Sequence, residues 1–131
     1  MEKRVTGIGG IFFKSENPDK TKEWYNKHLG LDTDQYGCLF KWRDYETSQV
    51  ATTQWSVFKK DTDYFGAPDK EFMMNYRVEN LRELLKVLKE EGVEVIDKVE
   101  EYEYGKFGWI IDPEGRKIEL WEPIDAPFLE P

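Results

Sequence analysis

The chain has 131 residues, 39% hydrophobic and 35% charged, enough for one domain and too apolar to remain unfolded. A net charge of −8 repels phosphate backbones and anionic bilayers, so neither nucleic acid nor a membrane is an expected partner. No apolar run reaches spanning length, the opening MEKRVTGIGG lacks the apolar stretch of an export signal, and Cys38 is the only cysteine. A cytoplasmic setting is therefore expected.

In chain order, Val5 to Lys14 is apolar and rich in β-branched and aromatic residues, which predicts a strand. Ser15-Glu16-Asn17-Pro18-Asp19 then has the chemistry of a helix start. A short polar side chain can cap the free N–H groups, proline fits the first turn, and acid suits the positive end of the dipole. The helix carries Trp24, Tyr25 and Leu29 on one side, and Gly30 is placed to end it. His28, the only histidine, lies at the helix C-terminus, where a cation is favoured, so its position calls for no ligand role. Three short strands are predicted next, at Leu31 to Tyr36, Cys38 to Trp42 and Ala51 to Phe58. Cys38 has no basic neighbour in sequence that would make it a nucleophile.

After a polar linker over 59–71 the pattern repeats. Phe72 to Val78 predicts a strand, and Asn80 can cap a helix bearing Leu81, Leu84, Leu85 and Leu88 at helical spacing. Strands follow at Val93 to Tyr102, Lys106 to Ile111 and Arg116 to Trp121, the last two joined by the turn Asp112-Pro113-Glu114-Gly115. The tail, 123–131, reads as irregular. The expected class is α+β, a single domain of two tandem βαβββ modules over 5–58 and 72–122. Each module alone would leave a sheet face bare, so the pair should curl around a shared cup.

Three stretches carry a likeness to a known family: GIGGIFFKSENP, EWYNKHLGL and GWIIDPEGRKIELWEP. With the repeat, they make the chain resemble the vicinal oxygen chelate superfamily of glyoxalases, bleomycin-resistance proteins and extradiol dioxygenases. The resemblance implies a homodimer and a divalent metal held by inward-facing residues on the first and last strands of each module. At those positions this sequence has Gly10, Gln54, Met73 and Glu119. Glu119 is a good oxygen ligand, Gln54 a weaker one, and Gly10 and Met73 offer nothing to a hard ion. No cofactor is therefore expected, although a catalytic role for Glu119 stays open.

Strand alternation in phase with those positions selects the cup lining. Phe12, Thr52, Gln54, Ser56, Asn75, Arg77, Glu119 and Trp121 are the expected ligand-binding residues, with Lys14 and Lys117 in the same phase. Arg77 could clamp a ligand carboxylate, pair with Glu119 or stand as a surface charge. Trp42 and Trp109 could line the pocket or the core, and Tyr102 and Tyr104 could form a lip or an exposed edge. A metal-free protein that binds a small organic molecule is the leading reading. A divalent-metal lyase, isomerase or dioxygenase is the alternative, and a structural domain whose cup is closed by Phe12, Met73 and Trp121 is the third.

Overall fold

The computed structural model describes residues 3–129. One mixed sheet of seven strands runs in the order β2-β3-β1-β4-β7-β6-β5. Its strands are β1 (Val5–Ser15), β2 (Cys38–Arg43), β3 (Val50–Lys59), β4 (Phe72–Val78), β5 (Glu94–Tyr102), β6 (Gly105–Ile111) and β7 (Lys117–Pro123). The helices are α1 (Pro18–Leu29), α2 (Leu81–Glu90) and the short α3 (Ala126–Leu129). Strands β1 and β4 pair antiparallel at the centre, and each runs parallel to the last strand of its own half, β3 or β7. The two halves are thus related about the β1–β4 seam.

Both helix starts follow local chemistry. The Asn17 side chain accepts from the Lys20 N–H at 3.1 Å, with Pro18 in the first turn. The Asn80 side chain accepts from the Glu83 N–H at 3.4 Å. Gly30 ends α1 in the left-handed region at φ 70°, its N–H reaching the Asn26 carbonyl, a conformation that side chains resist. Helix α2 seals one face of the sheet: Leu81, Leu84 and Leu85 are buried with Val78 and Leu120, and Tyr76, Ile110 and Ile118 pack around them. Helix α1 buries none of its residues and touches the sheet through aromatic contacts, Tyr25 lying 4.8 Å from Trp55 and 6.2 Å from Phe13.

Three expectations need correction. Leu31 to Tyr36 is not a strand, leaving only an isolated bridge between Asp34 and Gly37. The Asp34 carboxylate accepts from the N–H groups of Tyr36 and Gly37 at 2.8 and 3.1 Å, and this local turn replaces the ladder. The first half is therefore βαββ. Residues 59–71 are more than a linker, because Phe65 is buried to 1% exposure inside the cup. The tail is also ordered where described. β7 continues to Pro123, and α3 folds back over the sheet.

Candidate functional site

The concave face is organised by a row of four residues across the central strands. Gly10 on β1 stands opposite Gln54 on β3 and Asn75 on β4, and Asn75 stands opposite Glu119 on β7. The register between β1 and β4 shifts between Ile8 and Gly10, a bulge that brings Gly9 and Gly10 close to neighbouring side chains. A Cβ on Gly9 would overlap Asn75 Oδ1, and one on Gly10 would lie 2.5 Å from the Phe12 ring. Bare backbone is what lets Asn75, Arg77 and Trp121 lie over this strand. Met73 is outside the row. It faces Phe12 in the register and is buried with Phe12 and Phe65.

Glu119, 4% exposed, is held by three neutral donors. Asn75 Nδ2 donates to its Oε1 at 2.7 Å, while Trp109 Nε1, at 3.0 Å, and the Tyr64 hydroxyl donate to Oε2. Asn75 Oδ1 is buried with no donor, a cost of about 1–3 kcal/mol that the bond to the carboxylate offsets. Burial, with the Glu119 charge beside it, pushes the Tyr64 phenol well above its ordinary value, so Tyr64 keeps its proton and serves as donor.

Tyr64 and Phe65 come from 59–71, which crosses the cup as a strap. Lys14 Nζ donates to the Pro68 carbonyl at 3.1 Å, and Lys117 Nζ to the Tyr64 carbonyl at 2.9 Å. Lys117 also lies over the Tyr64 ring, and burial pushes its ammonium below the usual lysine value. The two cup lysines therefore hold the strap down.

Arg77 does not pair with Glu119. The buried Arg77 side chain, 8% exposed, grips Asp125 of the tail, Nη1 to Oδ1 at 2.8 Å and Nη2 to Oδ2 at 2.6 Å. Nη1 also donates to the Thr52 carbonyl at 3.1 Å, and the Thr52 hydroxyl donates to Asp125 Oδ1 at 2.8 Å. The rings of Trp42 and Trp121 lie 5.6 and 5.1 Å from the guanidinium carbon. Burial alone would raise the Asp125 carboxyl, but the bonds from Arg77 and Thr52 outweigh it and hold it below the usual carboxylate range.

Between strap and tail a cavity of about 750 Å³ remains, lined by Phe12, Gln54, Ser56, Phe58, Tyr64, Tyr104, Glu119 and Phe128 among others. Gln54 Nε2 and the Ser56 hydroxyl both donate to the Tyr36 carbonyl, at 3.1 and 2.6 Å, fixing the loop at its mouth. Tyr104 and Phe128 close the other side, their rings 5.8 Å apart. Of the residues expected to line the cup, Phe12, Gln54, Ser56 and Glu119 border this cavity, whereas Thr52, Arg77 and Trp121 surround Asp125 and Asn75 supports Glu119. The residues missed from sequence include Phe58 on β3 and, in segments without periodicity, Tyr64, Phe65, Asp125 and Phe128. For Tyr64, Phe65 and Phe128 the one visible signal is an aromatic residue set in an otherwise polar or irregular stretch, and Asp125 gives none. Cys38 is buried, which pushes its thiol up, away from the reactive thiolate.

The four positions do not suit a hard divalent ion. Both Glu119 oxygens already accept protein hydrogens, Gln54 points its amide N–H at Tyr36, and Gly10 has no space for a ligating side chain. Among the described residues no group of three or more His, Cys, Asp or Glu is placed to share an ion.

This architecture is the glyoxalase/bleomycin-resistance/dioxygenase fold, with a curled mixed sheet around a cup. Solved structures of methylmalonyl-CoA epimerases share it. The enzyme from Mycobacterium tuberculosis superposes with a TM-score of 0.65 at 16% identity, over 99% of this chain and 96% of that one. A variant of the Streptomyces coelicolor epimerase in complex with 2-nitronate-propionyl-CoA gives 0.66 at 14% identity, over 91% and 98%. A chain described as NAD-dependent benzaldehyde dehydrogenase from Legionella pneumophila also superposes, at 0.55 and 12% identity, over 88% of this chain and 98% of that one. No family model and no curated protein sequence matches the chain. At such identities the likeness establishes the fold, and the site must argue for itself. No described helix is long and apolar enough to cross a membrane.

Proposed function

We propose that this protein binds a small organic molecule in the cavity between strap and tail, without a divalent metal at the row Gln54–Gly10–Asn75–Glu119. One observation carries the reading. A space of about 750 Å³, within the usual range for small-molecule sites, has aromatic walls and one anchored carboxylate. Phe12, Phe58, Tyr104 and Phe128 supply apolar contact, and Gln54, Ser56, Tyr64 and Glu119 supply orientation. A metal would have to compete with three hydrogen bonds to Glu119 and draw its other ligands from the amides of Asn75 and Gln54, since Gly10 has no side chain.

The test is calorimetry against a panel of small carboxylates, amides and thioesters, with and without chelator. Binding should persist in chelator and weaken about tenfold or more in Glu119→Gln, the loss of one charged hydrogen bond. Affinity that vanishes with chelator, or stays unchanged in both Glu119→Gln and Tyr64→Phe, would refute the reading.

A second reading is favoured by the Tyr64–Glu119 hydrogen bond. A carboxylate beside a proton-holding phenol at a cavity wall can take a proton from a bound molecule and return it. On this reading Glu119 is catalytic, and Glu119→Gln would abolish hydrogen exchange into a bound carbon acid while affinity survives. A homodimer and a cytoplasmic setting belong to the same proposal, supported by the fold and by the lone cysteine. Light scattering tests the first.

A further inference from the structure

The Arg77 site is built like a ligand site, yet its occupant belongs to the chain. An arginine buried to 6% exposure is expensive unless an anion meets its guanidinium with both oxygens. Here both guanidinium branches meet both Asp125 oxygens, Thr52 adds a hydroxyl, and two indoles cover the faces. Thr52 is fully buried, so the cradle is fixed by the sheet, on β3 and β4. Its occupant is not fixed in that way. Asp125 sits between the end of β7 and the four-residue α3, and the adjacent Ile124 is half exposed. The tail's other described ties are the Ile124 N–H to the Tyr104 carbonyl at 3.0 Å and the Phe128 ring against Trp121 and Tyr104.

We propose that Arg77 and Thr52 form a carboxylate-binding cradle which the chain fills with its own Asp125, and that the molecule entering the cavity carries a carboxylate that replaces it. The tail links the two places. Pro127 and Phe128 form a wall of the cavity, two and three residues beyond Asp125, so on this proposal the release of Asp125 also moves that wall. On its outer side the cradle opens onto a cavity of about 340 Å³ that Arg77 and Asp125 themselves line, together with Asp44, Glu79 and Glu122. The apolar body of the ligand seats among Phe12, Phe58 and Tyr104, with its carboxylate turned away from Glu103 and Glu119 and toward the cradle. The assignment of ligand class rests on the cavity being the binding site, whereas the cradle does not.

The experiment uses the full chain with Asp125→Ala, measuring melting temperature and tryptophan fluorescence in acetate, phenylacetate and acetamide at constant ionic strength. Removing the internal anion frees the cradle, so acetate should raise the melting temperature of Asp125→Ala and bind about tenfold or more tighter than to wild type. Acetamide should do neither, and adding Arg77→Met should remove the gain. Phenylacetate binding tighter than acetate supports the cavity as the place for the ligand body. Equal affinities leave the cradle standing and count against that cavity. Phe128→Ala keeps the buried charge pair and loosens only the tail, so it tests the exchange even where Asp125→Ala folds poorly. It should bind acetate more tightly than wild type. A folded Asp125→Ala that ignores acetate, or a Phe128→Ala with wild-type affinity, overturns the proposal.

Discussion

The two halves of this protein begin from similar plans and reach different solutions. The second half has four strands and a helix that buries three leucines against β7 and β4. The first has three strands and a helix that buries no residue, with Trp24 53% and Leu29 59% exposed. Similar caps start both helices, so capping does not explain the difference. The sheet beneath does. The β6–β7 pair offers Ile110, Ile118 and Leu120 to α2, whereas under α1 the sheet offers a ring cluster of Phe13 and Trp55. The second half carries its own core, and the first depends on the seam with its neighbour.

The comparison can be broken with one substitution made twice. Leu81→Ala removes a fully buried side chain and should cost about 2–5 kcal/mol in chemical denaturation. Leu29→Ala, in the matching helix, should stay within about 0.5 kcal/mol. Comparable losses would mean that α1 is packed as tightly as α2. The seam is tested next. Gly9→Ala drives a methyl group into Asn75 Oδ1, and the crowding should cost about 1–3 kcal/mol. It should also weaken ligand binding, because Asn75 can move only by giving up its bond to Glu119. The helix caps sharpen the comparison from the other side. Asn17→Ala and Asn80→Ala should each cost about 1 kcal/mol, the usual value of a cap. Amide exchange should report local fraying in α1 for the first and global loss for the second.

What was legible in the sequence was local. Asn17-Pro18, Asn80, Gly30 and the turn at Asp112 mark ends whose chemistry lies within a few residues, and the structure uses each of them. Alternation also separated Glu119, Asn75 and Arg77 from Leu120, Tyr76 and Val78, because sheet pleating enforces a period of two. Leu31 to Tyr36 misled because it lies between two glycines, Gly30 and Gly37, that bracket it like a short strand, while Asp34 satisfies the backbone without a neighbouring strand. The strap and tail were illegible for a different reason. Nothing in a polar stretch announces that Tyr64 will reach Glu119, 55 residues away, or that Asp125 will reach Arg77, 48 residues away. Such partners are chosen by the assembled sheet. For the same reason the pairing of Arg77 with Asp125 instead of Glu119 became visible only in three dimensions.

The strap gives the cavity a thermodynamic meaning. Its walls come from β1, β3, the 59–71 segment, β7 and α3, so a molecule seated there touches both halves at once. No half alone can hold it. Occupancy therefore stabilises only the assembled chain, by RT ln(1 + [L]/Kd), or about 2.7 kcal/mol at a hundredfold excess over Kd. A first half with a loosely packed helix would gain most from that coupling, since any opening of the β1–β4 seam must first release what the cup contains.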